Sequence, residues 1–206
     1  FTQGSVRGSA AILGIAFIDN IYGSSGMGPL MIVSAVPLYN IYSVIILTVE
    51  ARDNKNGKEA IKKSFINVLK NPIIIGIFLG MIVACTGLKI PAIPLKAINS
   101  VAATATPIAL IVVGAGFEGK KAIAKTGPTL VAVFIKLIVL PLIFLPVAVK
   151  IGFRREALVA IIIMLGSPTT VTCYIMAKNM NNDEVLSGSI VVLATLLSSF
   201  TLTGLV

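Results

Sequence analysis

Gly166-Ser167-Pro168-Thr169-Thr170-Val171-Thr172 sets a proline and a run of hydroxyls inside a stretch, Ala157 to Ala177, that is otherwise apolar enough to cross a membrane. Proline has no N–H and presses against the preceding turn, so a helix is interrupted there. In hydrocarbon each backbone group freed by such a break costs several kcal/mol, so the break survives only where protein or a water-lined cavity covers it. Interrupted helices of this kind build mid-membrane binding sites in transporters.

Outward from that stretch, the whole chain has membrane character. Of its 206 residues 56% are hydrophobic and 12% charged, with a mean hydropathy of +0.99, more apolar surface than a soluble domain of this size needs. Seven apolar segments follow one another: Gly8 to Tyr22, Pro29 to Val49, Pro72 to Leu88, Leu95 to Val113, Pro128 to Val149, Ala157 to Ala177 and Val185 to Val206. Most approach the ~20 residues that span a ~30 Å core. The first and third are short, as an interrupted or tilted helix would be. The fold class expected is an all-α polytopic membrane protein. The chain starts at Phe1-Thr2-Gln3-Gly4 with no initiator methionine and no charged leader, and is expected to be the later part of a longer protein rather than a signal peptide and a soluble body.

The net charge of +9 does not point to nucleic acid, because the basic residues fall in short clusters between apolar runs and carry no recognition motif. They read instead as topology signals. Arg52, Lys55, Lys58, Lys62, Lys63 and Lys70 lie in the Glu50 to Lys70 connection, Lys120, Lys121 and Lys125 in the next loop on the same side, and Lys178 in the third. The opposite side has Lys89, Lys96, Lys150, Arg154 and Arg155, with Arg7 set aside at the start. Ten against five places the Glu50 to Lys70 loop in the cytoplasm and Val206 outside, in a multi-pass protein of the cell membrane. Cys85 and Cys173 lie in apolar spans and histidine is absent, so no disulfide, metal or cofactor is expected. An enzyme would need a nucleophile, metal ligands or an acid–base pair at one depth. With no histidine and no acid at the centre of a span, none is expected.

Within the chain, Gly8-Ser9, about ten mostly apolar residues, Asp19-Asn20 and a span from Pro29 have a counterpart in Pro168-Thr169, a similar stretch, Lys178-Asn179 and a span from Val185. Five spans apart, the two copies would cross the membrane in opposite senses, as inverted repeats do. Around these breaks Ser9, Ser167, Thr169, Thr170 and Thr172 can donate hydrogen bonds to an anion without adding charge; equally, hydroxyls in membrane helices bond their own backbone. Half-helix N-termini there present N–H groups and a positive dipole end. Lys136 lies about eight residues into its span, ~12 Å from its start. An unpaired ammonium at that depth costs at least ~2.5 kcal/mol, so it is expected to face the interior and meet carbonyls, a carboxylate or substrate. Asp19 is weighed as its partner or as a helix cap. Asn99, with Thr104 and Thr106, either lines a cavity or packs. Gly76 and Gly80 form a small-residue packing motif.

Ser9-Ala10-Ala11-Ile12-Leu13-Gly14-Ile15-Ala16 leading to Tyr22-Gly23, Lys70-Asn71-Pro72 with Gly76 and Gly80, Thr106-Pro107-Ile108-Ala109-Leu110 with Gly114, Lys136 before Pro141, and Ser167-Pro168 leading to Ala177-Lys178 together resemble the auxin efflux carrier family of plant PIN carriers and many bacterial and archaeal transporters. The resemblance covers essentially the whole chain. It implies an NhaA-like fold of ten spans in two inverted five-span repeats, of which these seven would be the fourth to tenth. Two broken helices would cross at Gly8-Ser9 and Pro168-Thr169. At the first break the plant pattern has Pro-Asn, where this chain has Gly8-Ser9: glycine keeps the irregular backbone and an amide donor is lost. The resemblance divides the chain into residues 1–49 (end of the first repeat), 50–70 (cytoplasmic loop), 71–114 (scaffold spans) and 115–206 (transport-domain spans). It implies a homodimer and a secondary transporter for a small organic anion, an auxin-like acid or a dicarboxylate. Gly8, Ser9, Ser167, Pro168, Thr169, Thr170, Thr172, Lys136 and Asn99 are the candidate substrate-binding residues. A non-transporting sensor on the same fold is the alternative.

Overall fold

The structure, a computed structural model, describes residues 1–9, 27–49, 66, 69–70, 72–88, 90–116 and 119–205. Asp19, the turn at 53–57 and most of the first apolar segment lie outside these residues. The described chain forms α1 (Thr2–Val6), α2 (Gly28–Val49), α3 (Pro72–Thr86), α4 (Ala92–Ala115), α5 (Gly119–Ala124), α6 (Thr126–Phe134), a π-helical turn (Ile135–Val139), α7 (Leu140–Ile151), α8 (Arg155–Gly166), α9 (Thr172–Asn179) and α10 (Glu184–Leu205). Among the described residues it is all helical apart from turns and a single antiparallel bridge.

Among the described residues, four stretches are long and apolar enough to cross a membrane: Leu30–Val49, Ala92–Ala115, Thr126–Ile151 and Glu184–Gly204. In α10 the polar side chains are absorbed locally: Ser189, Thr195 and Thr203 donate to carbonyls one turn back, at Val185, Val191 and Ser199. That is the backbone-bonding role expected of hydroxyls in a span. At 15 residues, α3 covers only about 22 Å at ~1.5 Å per residue, short of a ~30 Å core.

The span Thr126–Ile151 changes its pitch at the π turn. Pro141 cannot donate to the carbonyl one turn earlier and its ring crowds that turn. The helix widens there, and the Leu140 N–H reaches back to Ile135 O. Lys136 and Leu137 are thereby turned into the protein, and wide turns of this kind recur at functional sites.

Helix α10 is central, packing on α9, α6, α8 and the π turn. Its apolar face, Leu186, Ile190 and Ala194, closes over Ala132, Val133 and Leu137. Val44 and Leu47 of α2 pack on Met176 of α9, and Met31 of α2 packs on Ala160 and Ile163 of α8. By contrast α3 and α4 expose Phe78, Leu79, Ile93, Val101 and Ile111. Helix α4 meets the remainder through Val113, which joins Tyr174 and Val191. The Tyr174 ring lies between two glycines: a Cβ at Gly188 would touch the ring at 3.3 Å, and one at Gly116 would collide with the Tyr174 hydroxyl oxygen and stand 3.2 Å from Val112 O. Gly116→Ala is therefore expected to destabilise the fold by about 1–3 kcal/mol through overpacking. Tyr174→Phe in the same chain should restore part of it, measured by thermal unfolding of single and double variants.

One end of the bundle gathers the ends of α2, α5 and α9. Asn182 Nδ2 donates to Leu47 O at 2.9 Å, Lys178 pairs with Glu184 at 3.4 Å, and Lys125 Nζ pairs with Asp183 Oδ2 at 2.8 Å. Asp183 Oδ1 also accepts the Leu186 N–H at 2.9 Å, capping α10. Burial pushes the Asp183 carboxyl up, but the bonds from Lys125 and Leu186 outweigh it and hold it below its ordinary value. A depressed folded pKa gives stability that is present above the ordinary carboxylate range and lost as pH falls through the folded value. With the pair's side chains 42% and 31% exposed, it contributes about 0.2–1 kcal/mol. Asp183→Asn should lower the unfolding temperature slightly at neutral pH, and the difference from wild type should shrink on acidification below about pH 4.

Candidate functional site

Two interrupted segments meet backbone to backbone. Helix α1 ends at Val6, Arg7 is extended, and Gly8 pairs in an antiparallel bridge with Thr169. The Ser9 N–H donates to Pro168 O at 2.8 Å. On the second segment α8 stops at Gly166, Ser167 is extended, and helix resumes at Thr172. The proline explains the second break, since it has no N–H to continue the ladder. Contact explains glycine at the first: a Cβ on Gly8 would stand 2.5 Å from Ser167 Oγ, 2.8 Å from Met164 O and 3.1 Å from Lys136 Nζ. No larger residue fits this approach without moving backbone.

Lys136, 1% exposed, lies at this crossing. Its ammonium donates to Leu165 O at 2.8 Å and to Met164 O at 3.4 Å, two carbonyls that end α8. A helix C-terminus carries orphan carbonyls and partial negative charge, so cation and helix end satisfy one another.

The hydroxyls divide into two sets. Ser167 Oγ donates back to Met164 O at 3.3 Å, and Thr169 Oγ1 to Gly4 O at 2.7 Å; both are buried and hold the crossing together. Thr170 and Thr172 are half-buried and share one hydrogen bond, 3.3 Å between their oxygens. They stand at the start of α9, whose Cys173 and Tyr174 N–H groups donate to Thr170 O and Val171 O, both at 3.0 Å. Ser9 is also half-buried.

Helix α1 is fastened to α9 by Gln3, whose Nε2 donates to Cys173 O at 2.9 Å. One turn on, Arg7 is 6% exposed. Its Nη2 donates to Asn40 Oδ1 at 2.7 Å, and its Nη1 to Ser43 Oγ at 3.3 Å and Met176 Sδ at 3.1 Å. Backbone strand, buried cations and a helix N-terminus thus converge at one crossing. No metal-holding group of acidic, cysteine or histidine side chains occurs among the described residues.

The family model described as membrane transport protein matches residues 2–206. The chain belongs to this family. The matched residues include both breaks, Lys136 and the spans between them, and the auxin efflux carrier resemblance of the sequence is thereby borne out. No curated protein matches the chain. The protein is a multi-pass membrane transporter.

In this transporter the structure brings Gly8, Ser9, Ser167, Pro168, Thr169 and Lys136 into one place, with Thr170 and Thr172 at its edge. Asn99 is not among them. It is exposed on α4. Arg7, Gln3, Asn40 and Ser43 are the residues that sequence reasoning passed over. Arg7 is set aside at the chain's start when the charges are read linearly, and Asn40 and Ser43 read as ordinary polar residues of a span. The one signal available was the adjacency of Arg7 to the Gly8-Ser9 break.

Proposed function

We propose that this protein is a secondary transporter that carries a small organic anion, an auxin-like aromatic acid or a dicarboxylate, through the crossing of its two interrupted helices. The carrying observation is the Gly8–Thr169 bridge with the buried Lys136 ammonium beside it. A backbone crossing at membrane depth gives a ligand N–H groups without side-chain bulk, and a nearby cation lowers the cost of bringing in negative charge. Thr170, Thr172 and Ser9 supply further donors, while Ser167 and Thr169 keep the crossing closed.

In this reading the two interrupted segments are counterparts in an NhaA-like inverted repeat. The crossing and α10 form a moving body, which rocks or slides against a scaffold that includes α3 and α4. The exposed apolar faces of those two helices suit lipid and a second copy in a homodimer. The ten-to-five distribution of Lys and Arg supports a cytoplasmic 50–70 loop and an outside C-terminus.

The reading is tested by reconstitution. Labelled succinate, malate and benzoate are offered to proteoliposomes over a range of concentrations, with unlabelled acid preloaded. Saturable exchange is expected. Binding of an acid without any flux would contradict a carrier.

A further inference from the structure

We infer that Arg7 is the carboxylate-reading residue of this transporter, where α1, α2 and α9 meet, an assignment that rests on the organic-anion reading above. The two buried cations at the crossing are treated very differently by the protein. Lys136 is matched to the negative end of α8 through the Leu165 and Met164 carbonyls. Arg7 has an amide oxygen, a hydroxyl and a thioether, all neutral, and no carboxylate pairs with it among the described residues. Sulfur is a weak acceptor, and a guanidinium has more N–H donors than these three contacts occupy. Its planar fork matches a carboxylate in two parallel bonds. A charge buried without its counter-ion is costly, and a ligand carboxylate would supply what the described residues leave out.

The surroundings of Arg7 also aim the fork. Asn40 donates its Nδ2 to Val36 O at 2.9 Å, which fixes its Oδ1 toward Arg7. Gln3, one turn before Arg7 on the side of α1 that faces α9, is 5% exposed, and its Oε1 is buried with no hydrogen-bond partner. Such an orphan acceptor is rare in a finished core. Arg7, just past the end of α1, is a cation with no carboxylate partner among the described residues, and Gln3 Oε1, four residues earlier, is an acceptor with no donor; together they point to a polar ligand between α1 and α9.

The decisive variant is Asn40→Asp, which offers Arg7 a carboxylate of the protein's own. Titration of succinate and benzoate into the purified protein in nanodiscs is read beside its thermal unfolding. Asn40→Asp is expected to keep or raise the unfolding temperature and yet weaken both acids at least about tenfold, the loss of charge-assisted hydrogen bonds. Arg7→Lys, which keeps charge and loses the fork, is expected to weaken them as well. Wild-type affinity in both variants would make Arg7 a structural staple, overturning this assignment while leaving the anion reading intact. A wild-type protein that neither binds nor exchanges any of these acids would overturn both.

Discussion

Lys136→Ala is expected to abolish carboxylate flux and to destabilise the protein by about 1–3 kcal/mol, the cost of leaving buried hydrogen-bonding groups without partners. Two effects oppose each other. Removing the ammonium relieves its burial at membrane depth, which is costly for any cation. It also strips the donor from Leu165 O and Met164 O, at the end of α8. In the folded protein the first cost is already offset by the second interaction, so the loss is expected to win. Lys136→Met separates volume from charge, because it fills the same space without a donor: it should be as inactive as alanine. Lys136→Arg keeps a cation, and should retain more stability than either. Thermal unfolding in nanodiscs and proteoliposome exchange, measured on the same preparations, check both parts. A Lys136→Met protein with wild-type flux would remove Lys136 from the site.

Gly8→Ala is expected to be nearly as damaging, although it adds one methyl. Of the three atoms the new Cβ would meet, Ser167 Oγ can swing aside, but Met164 O belongs to backbone and Lys136 Nζ is fixed by the same carbonyls. Overpacking of this kind costs about 1–3 kcal/mol. The crossing must part, breaking the Ser9–Pro168 hydrogen bond, so flux should fall further than stability does. Ser167→Gly in the same chain relieves only the nearest contact, and is therefore expected to restore folding in part and flux hardly at all. A fully active Gly8→Ala protein would show that the two segments need not touch.

Much of this site could be read from the residues. Pro168 has one physical meaning inside an apolar span, and the hydroxyls after it had to be covered by something. Lys136 had to find carbonyls, a carboxylate or substrate, and it found carbonyls. What could not be read was which partners lie across the fold. Arg7 reaches Asn40 and Met176, residues remote in sequence, through contacts that leave no periodic trace. The π turn was also invisible. Its cause, Pro141, reads as an ordinary membrane proline until the widened turn shows Lys136 rotated inward. Among the hydroxyls, sequence reasoning could not separate those that bind the crossing together from those at its edge, because Ser167 and Thr170 look alike until Met164 O and Thr172 are seen beside them. Asn99 is a further case. As a polar residue in an apolar helix it reads as lining a cavity or as packing, and the structure shows it exposed on α4 without choosing between the two.

The most direct test of an anion carrier centred on the crossing is charge movement. Carboxylate-induced currents are recorded from proteoliposomes on a solid-supported membrane, for wild type, Lys136→Ala and Pro168→Ala. A saturable current in wild type, lost in both variants that still insert and fold, is the predicted result. Currents of wild-type size in both variants would contradict it, because transport would then run through some other part of the protein.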